Sequence, residues 1–126
     1  VPDTPRITQK DRERFCFGDC HFLAKAIQDR SGMPIHTFQD RRDDEPTLHA
    51  FCVAPDGKCL DIDGWRSWTA LREDWSQYYV FGADYSRHAE FPFEVIAANF
   101  GEAPDFGPYT LKRAAIVADI LLGRRR

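Results

Sequence analysis

The sequence predicts an α+β domain in which a helix near the N-terminus packs on a small antiparallel sheet, with additional helices toward the C-terminus. Three observations carry this. Behind a chain break at Gly18, the residues Cys20, Leu23, Ala24 and Ile27 recur at the spacing of one helical face. Two strand-like runs then flank the turn Pro55-Asp56-Gly57. Near the end, Leu111, Ala114, Ala115, Val117, Ala118, Leu121 and Leu122 repeat the helical period and stop at Gly123.

In chain order, residues 1–15 carry two prolines and many charges without a sustained period, and read as an N-terminal arm to a single domain over residues 16–126. Asp19 is placed as the N-cap of a largely buried helix that starts at Cys20, and Ser31-Gly32 ends it. Pro34 precedes a short strand, Ile35-His36-Thr37-Phe38, and residues 40–45 form a charged loop. Leu48 to Val53 is a strand, Pro55-Asp56-Gly57 its turn and Lys58 to Asp63 the returning partner. Ser67 caps a helix through Trp68, Leu71, Trp75 and Tyr78, whose aromatic stripe is core packing. Within the stretch 80–106, Phe91 to Ile96 fits either a strand or a turn of helix.

Composition bounds the function. With 126 residues, of which 43% are hydrophobic and 29% charged, the chain has the balance of one folded domain. Seventeen basic against twenty acidic residues give a net charge of −3, which argues against a nucleic-acid or anionic-lipid partner. Arg124-Arg125-Arg126 complement the negative end of the last helix. No apolar run approaches the roughly 20 residues that span a bilayer, and Val1 to Pro5 lacks the features of a signal peptide. Without either segment the expected location is cytoplasmic or delivery as part of a larger effector, and a start at Val1 rather than Met reads as a processed product or an excised domain.

The chemistry concentrates in three residues. A cysteine in the first turn of a helix meets free N–H groups and the positive end of the dipole, which favour a thiolate and also suit an oxyanion. Cys20 holds that position. A histidine opening a strand, with an acid on the returning strand, is what holds an imidazole in one tautomer. His49 offers it, with Asp61 or Asp63 as the acid. Strand alternation makes this a test of register. A two-residue turn at Asp56-Gly57 points both acids away from His49. A three-residue turn at Pro55-Asp56-Gly57, with Gly57 left-handed, places His49, Phe51, Asp61 and Asp63 on one face. The odd loop is predicted, with Asp63 opposite His49 and Asp61 diagonal to it.

The stretches G18-D19-C20-H21-F22-L23-A24 and H49-A50-F51-C52-V53-A54-P55-D56-G57-K58-C59-L60-D61-I62-D63-G64 resemble the papain-like superfamily of cysteine peptidases, transglutaminases and related acyl-transferring enzymes. The second stretch is especially similar to small bacterial and phage-borne members, mostly of unknown substrate. The likeness covers residues 16–64. It implies a papain-like fold with Cys20 as nucleophile, His49 as general base and acid, and Asp61 as the orienting acid. It further implies a thiol-dependent hydrolase or acyltransferase acting on peptide or glutaminyl amides, as peptidase, deamidase or transglutaminase, with a protein or peptide substrate and no metal or organic cofactor. Arg14 stands where papain has the glutamine that binds the oxyanion, leaving Gln9 or backbone amides for that task. His21 reads as a packing or surface residue, and His36 and His88 have no assigned partner.

Two other readings fit the same residues. One is a papain-like module that binds without turnover. The other is an interaction domain stabilised by zinc or disulfides through Cys16, Cys20, Cys52 and Cys59, although their C-x3-C and C-x6-C spacings differ from the usual zinc knuckles.

Overall fold

The computed structural model describes residues 5–16, 19–39, 47–76, 89–90 and 108–124. Gly18, Tyr78, His88, the loop 40–45 and residues 91–96 lie outside them. The described chain is α+β. Its helices are α1 (Gln9–Cys16), α2 (Cys20–Ser31), α3 (Trp68–Ser76) and α4 (Pro108–Leu122). The strands are β1 (Ile35–Gln39), β2 (Thr47–Val53), β3 (Cys59–Asp61), β4 (Gly64–Arg66) and the short β5 (Ala89–Glu90). They form one antiparallel sheet in the order β4-β3-β2-β1-β5. Among the described residues no helix is long and apolar enough to cross a membrane.

Side-chain alternation along β2 and β3 sends the hydrophobic residues to two clusters. Ala50, Cys52 and Leu60 join Leu23, Ala24 and Ile27 of α2 and Val117, Ala118 and Leu121 of α4. Phe51 and Cys59 join Leu71 and Trp75 of α3 on the opposite face. The sheet therefore lies between α2 and α4 on one side and α3 on the other. Leu111, expected on the buried stripe of α4, is instead 50% exposed, and Thr110, 6% exposed, takes the inward position one residue earlier.

The segment read as an arm contains α1. Its start is a reciprocal capping box, in which Thr8 N–H donates to Asp11 Oδ2 at 2.9 Å and Asp11 N–H to Thr8 Oγ1 at 3.2 Å. Phe15 is fully buried and Ile7 nearly so, both in the cluster shared with α2 and α4. Arg113 of α4 closes the attachment, donating to Asp11 Oδ1 at 3.1 Å and to Arg6 O at 3.2 Å. The helix eluded the periodic reading because its inward face is one aromatic and one carboxylate.

Asp19 stands at the N-cap of α2, but its side chain makes no capping bond; its carbonyl instead accepts Phe22 N–H at 3.0 Å. At the other end Gly32, at φ 77°, donates to Gln28 O. Ser67 caps α3 through its hydroxyl, which accepts Ala70 N–H at 3.1 Å.

Candidate active site

The β2–β3 hairpin sets the geometry. Ala54 N–H donates to Lys58 O at 2.8 Å and Gly57 N–H to Ala54 O at 2.9 Å, closing a three-residue loop of Pro55, Asp56 and Gly57. Gly57 sits at φ 89°, the left-handed residue that such a loop requires. The register pairs Val53 with Cys59 and Cys52 with Leu60, and continuing it would set His49 opposite Asp63.

The strand does not continue that far. Residues 62 and 63 form a turn, and Gly64 pairs with Asp61 as β4 begins, so the expected strand to Asp63 ends two residues early. Asp61 makes this turn itself by accepting Asp63 N–H on Oδ1 at 2.9 Å, an Asx turn. Asp63 is thereby carried out of line with His49, and its side chain is 43% exposed. The other Asp61 oxygen, Oδ2, lies 2.8 Å from His49 Nε2. Of the two rival carboxylates, Asp61 is the one that reaches the ring.

The early end of β3 also brings in the cysteine. The bonded pair Ala54–Lys58 fixes which β2 groups face β3, and by alternation Ala50 N–H points at the place that residue 62 would occupy. Cys20 Sγ takes it, accepting Ala50 N–H at 3.4 Å. A side chain from the α2 face thus enters the plane of the sheet and meets His49, which belongs to the α3 face. Cys20 Sγ thereby lies beside residue 49 of β2, and its side chain is among the groups that act on the His49 ring, whose Nε2 is held by Asp61.

Packing and charge fix the ring further. Trp75 stacks on it with centroids 4.2 Å apart, and Cys20, His49 and Asp61 are all buried. Burial alone pushes the His49 pKa down, but the bonds to Asp61 and Cys20 outweigh it and raise the value to about 9. Burial likewise pushes the Asp61 carboxyl up, yet His49 and Arg66 together bring it below the ordinary carboxylate range. Burial raises Cys16 to about 12, Cys52 to about 12 and Cys59 to about 11, and nearby carboxylates add to this at Cys16 and Cys59.

The other candidates are placed elsewhere. Gln9 is exposed and lines a cleft with Arg66 and Cys16, not with the Cys20–His49 pair. Arg14 turns toward α4, its guanidinium 5.3 Å from the Tyr109 ring centroid. His21 is buried against Phe22, and His36 lies near Phe51, its pKa lowered by burial. All four cysteines are free thiols, and among the described residues no group of three or more His, Cys, Asp or Glu is placed to hold a metal.

Sequence reasoning missed Arg66, Asp74 and the role of Trp75 as a lid on the ring. Arg66 Nη2 donates to Asp61 Oδ2 at 2.9 Å and Nη1 to Asp74 Oδ2 at 2.8 Å. The one available signal was the D-x-x-G-x-R spacing from Asp61 to Arg66, a tight turn that returns a cation beside the acid. The chain matches no protein-family model, no curated protein and no solved structure.

Proposed function

We propose that the protein is a papain-like cysteine hydrolase or acyltransferase acting on peptide or glutaminyl amide bonds. The observation that carries the reading is a single imidazole bonded to a buried carboxylate through Nε2 while it interacts with a cysteine at the start of a helix. In the reaction, Cys20 Sγ attacks the amide carbonyl carbon, and N–H groups at the start of α2 receive the developing oxyanion. The C–N bond breaks as His49 passes its proton to the leaving amine, leaving a thioester on Cys20. Water or an acceptor amine then attacks the thioester, His49 takes up the proton, and the thiolate departs. Water gives peptidase or deamidase chemistry, an amine transamidation. Asp61 holds the imidazolium during both steps.

One observation favours a second reading, a papain-like module that binds without turnover: Cys20 is only 2% exposed and His49 is not exposed at all. Iodoacetamide at pH 6 followed by peptide mapping separates the two. An active site alkylates at Cys20 ahead of Cys16, Cys52 and Cys59, and the labelling falls in His49→Ala. Equally slow reaction of all four thiols supports the inert module. A panel of amide, ester and amine-acceptor substrates, run on wild type and Cys20→Ala, then identifies the reaction. Turnover that survives in Cys20→Ala would remove the nucleophile assignment.

A further inference from the structure

We infer that Arg66 is a positioning residue for the Cys20–His49–Asp61 site, holding the Asp61 carboxylate in the one orientation that keeps His49 in place. This rests on the reading of the site proposed above. Three donors meet on that carboxylate from three directions. Asp63 N–H binds Oδ1, while His49 Nε2 and Arg66 Nη2 share Oδ2. Asp61 and His49 lie on strands joined by a hairpin, so the backbone sets their distance but not the rotation of the carboxylate about its last bond. Asp63 N–H on Oδ1 and Arg66 on Oδ2 together fix that rotation independently of the imidazole.

Arg66 is itself held. Its second terminal nitrogen binds Asp74 at 2.8 Å, and Asp63 approaches Nη2 at 3.6 Å. One planar guanidinium thus ties the β3–β4 turn to the end of α3. Asp74 is the neighbour of Trp75, whose ring stacks on His49, so the same turn of α3 fixes both the imidazole and the cation behind its carboxylate. The geometry also balances charge. Asp61, Asp63 and Asp74 surround a single guanidinium, which offsets the repulsion among their carboxylates. Lysine keeps the charge but not the fork that bridges two acids.

The site lends itself to chemical rescue, because Arg66 borders a cleft of about 450 Å³, wide enough for methylguanidinium to occupy the space left by a truncated side chain. The experiment compares the rate of Cys20 alkylation in wild type, His49→Ala, Arg66→Lys and Arg66→Ala, the last with and without millimolar methylguanidinium. Arg66→Ala is expected to slow Cys20 on the order of 10- to 100-fold, the size of effect that a small misplacement of a reacting group produces. Methylguanidinium should restore most of the rate, and Arg66→Lys should fall between. If Arg66→Ala does not fold, Asp74→Asn, which releases the far end of the clamp and keeps the arginine, should slow alkylation by a smaller factor and serve in its place. Slowing in His49→Ala but not in Arg66→Ala or Asp74→Asn would overturn the role of Arg66 and leave the site intact. A loss in Arg66→Ala that neither lysine nor methylguanidinium relieves would make the residue structural and also overturn it. An unchanged rate in His49→Ala would instead overturn the reading of the site, and this inference with it.

Discussion

Asp61 serves two purposes with one carboxylate: Oδ1 closes the turn that ends β3, and Oδ2 binds His49. On the proposed reading of the site, Asp61→Ala should therefore lower turnover on the order of 100-fold or more, as loss of the orienting acid does in Ser-His-Asp triads. Asp63→Ala, at an exposed position, should change it little. Steady-state rates on whichever amide or ester the wild type accepts decide this, and a larger loss at Asp63 would reverse the assignment. The pair also predicts how stability depends on pH. His49 is raised from 6.5 to about 9, so its contribution is complete below 6.5 and disappears as pH climbs through about 9. Asp61 is lowered from 3.8, so its contribution is present above 3.8 and is lost as pH falls through the depressed value. Urea midpoints measured from pH 4 to 10 should thus decline on the alkaline side between 6.5 and 9, and Asp61→Asn should flatten that decline. An identical slope in the variant would show that His49 is not held by Asp61.

At the scale of elements, the hairpin decides which residues meet. Gly57 at φ 89° has nothing within 4 Å of an added Cβ, so a substitution there is penalised by backbone conformation and not by collision. Gly57→Ala should cost about 1–2 kcal/mol, and Gly57→Asn clearly less, since asparagine tolerates the left-handed region. Chemical denaturation of the two variants checks the order, and equal costs would mean that the loop relaxes to another turn. The β3–β4 turn has a comparable need at Gly64, φ 94°, and a shift there would move Asp61 and Arg66 together. About half of this arrangement was legible in the sequence. Pro55-Asp56-Gly57 specifies an odd loop by its own chemistry, and that loop fixes the face of every β2 side chain. The early end of β3 was not legible. It depends on Asp61 bonding its own turn while reaching a histidine twelve residues earlier, and strand propensity carries no information about either.

For the whole molecule, α1 is part of the core. Phe15, fully buried among residues of α2 and α4, should cost about 3–5 kcal/mol on truncation to alanine. Urea unfolding of Phe15→Ala tests this, and a change within experimental error would mean that residues 9–16 hang loosely from the domain. The tie between Asp11 and Arg113 links the two ends of the described chain across 102 positions. Anything that loosens α1 therefore loosens the α4 side of the core on which α2 rests, and with α2 the position of Cys20.

By itself the sequence determined what local chemistry decides: the α+β class, the helix starting at Cys20 and ended by Gly32, the Ser67 cap, and the turn at Gly57 that puts His49 on the face shared with Asp61. In each case the cause lies within a few residues of the effect, in a capping oxygen, a left-handed glycine or an apolar period. Only the tertiary structure showed which acid reaches the ring, the Asp61 that the resemblance implied and not the Asp63 that strand register alone favours, brought Cys20 to the Ala50 amide, set Trp75 on the imidazole, placed Arg66 behind the carboxylate and turned residues 9–16 into a packed helix. These depend on partners that approach only after the sheet, α2 and α3 have assembled. The energy that selects them comes from burial and charge pairing between distant segments, and no window of neighbouring residues contains it.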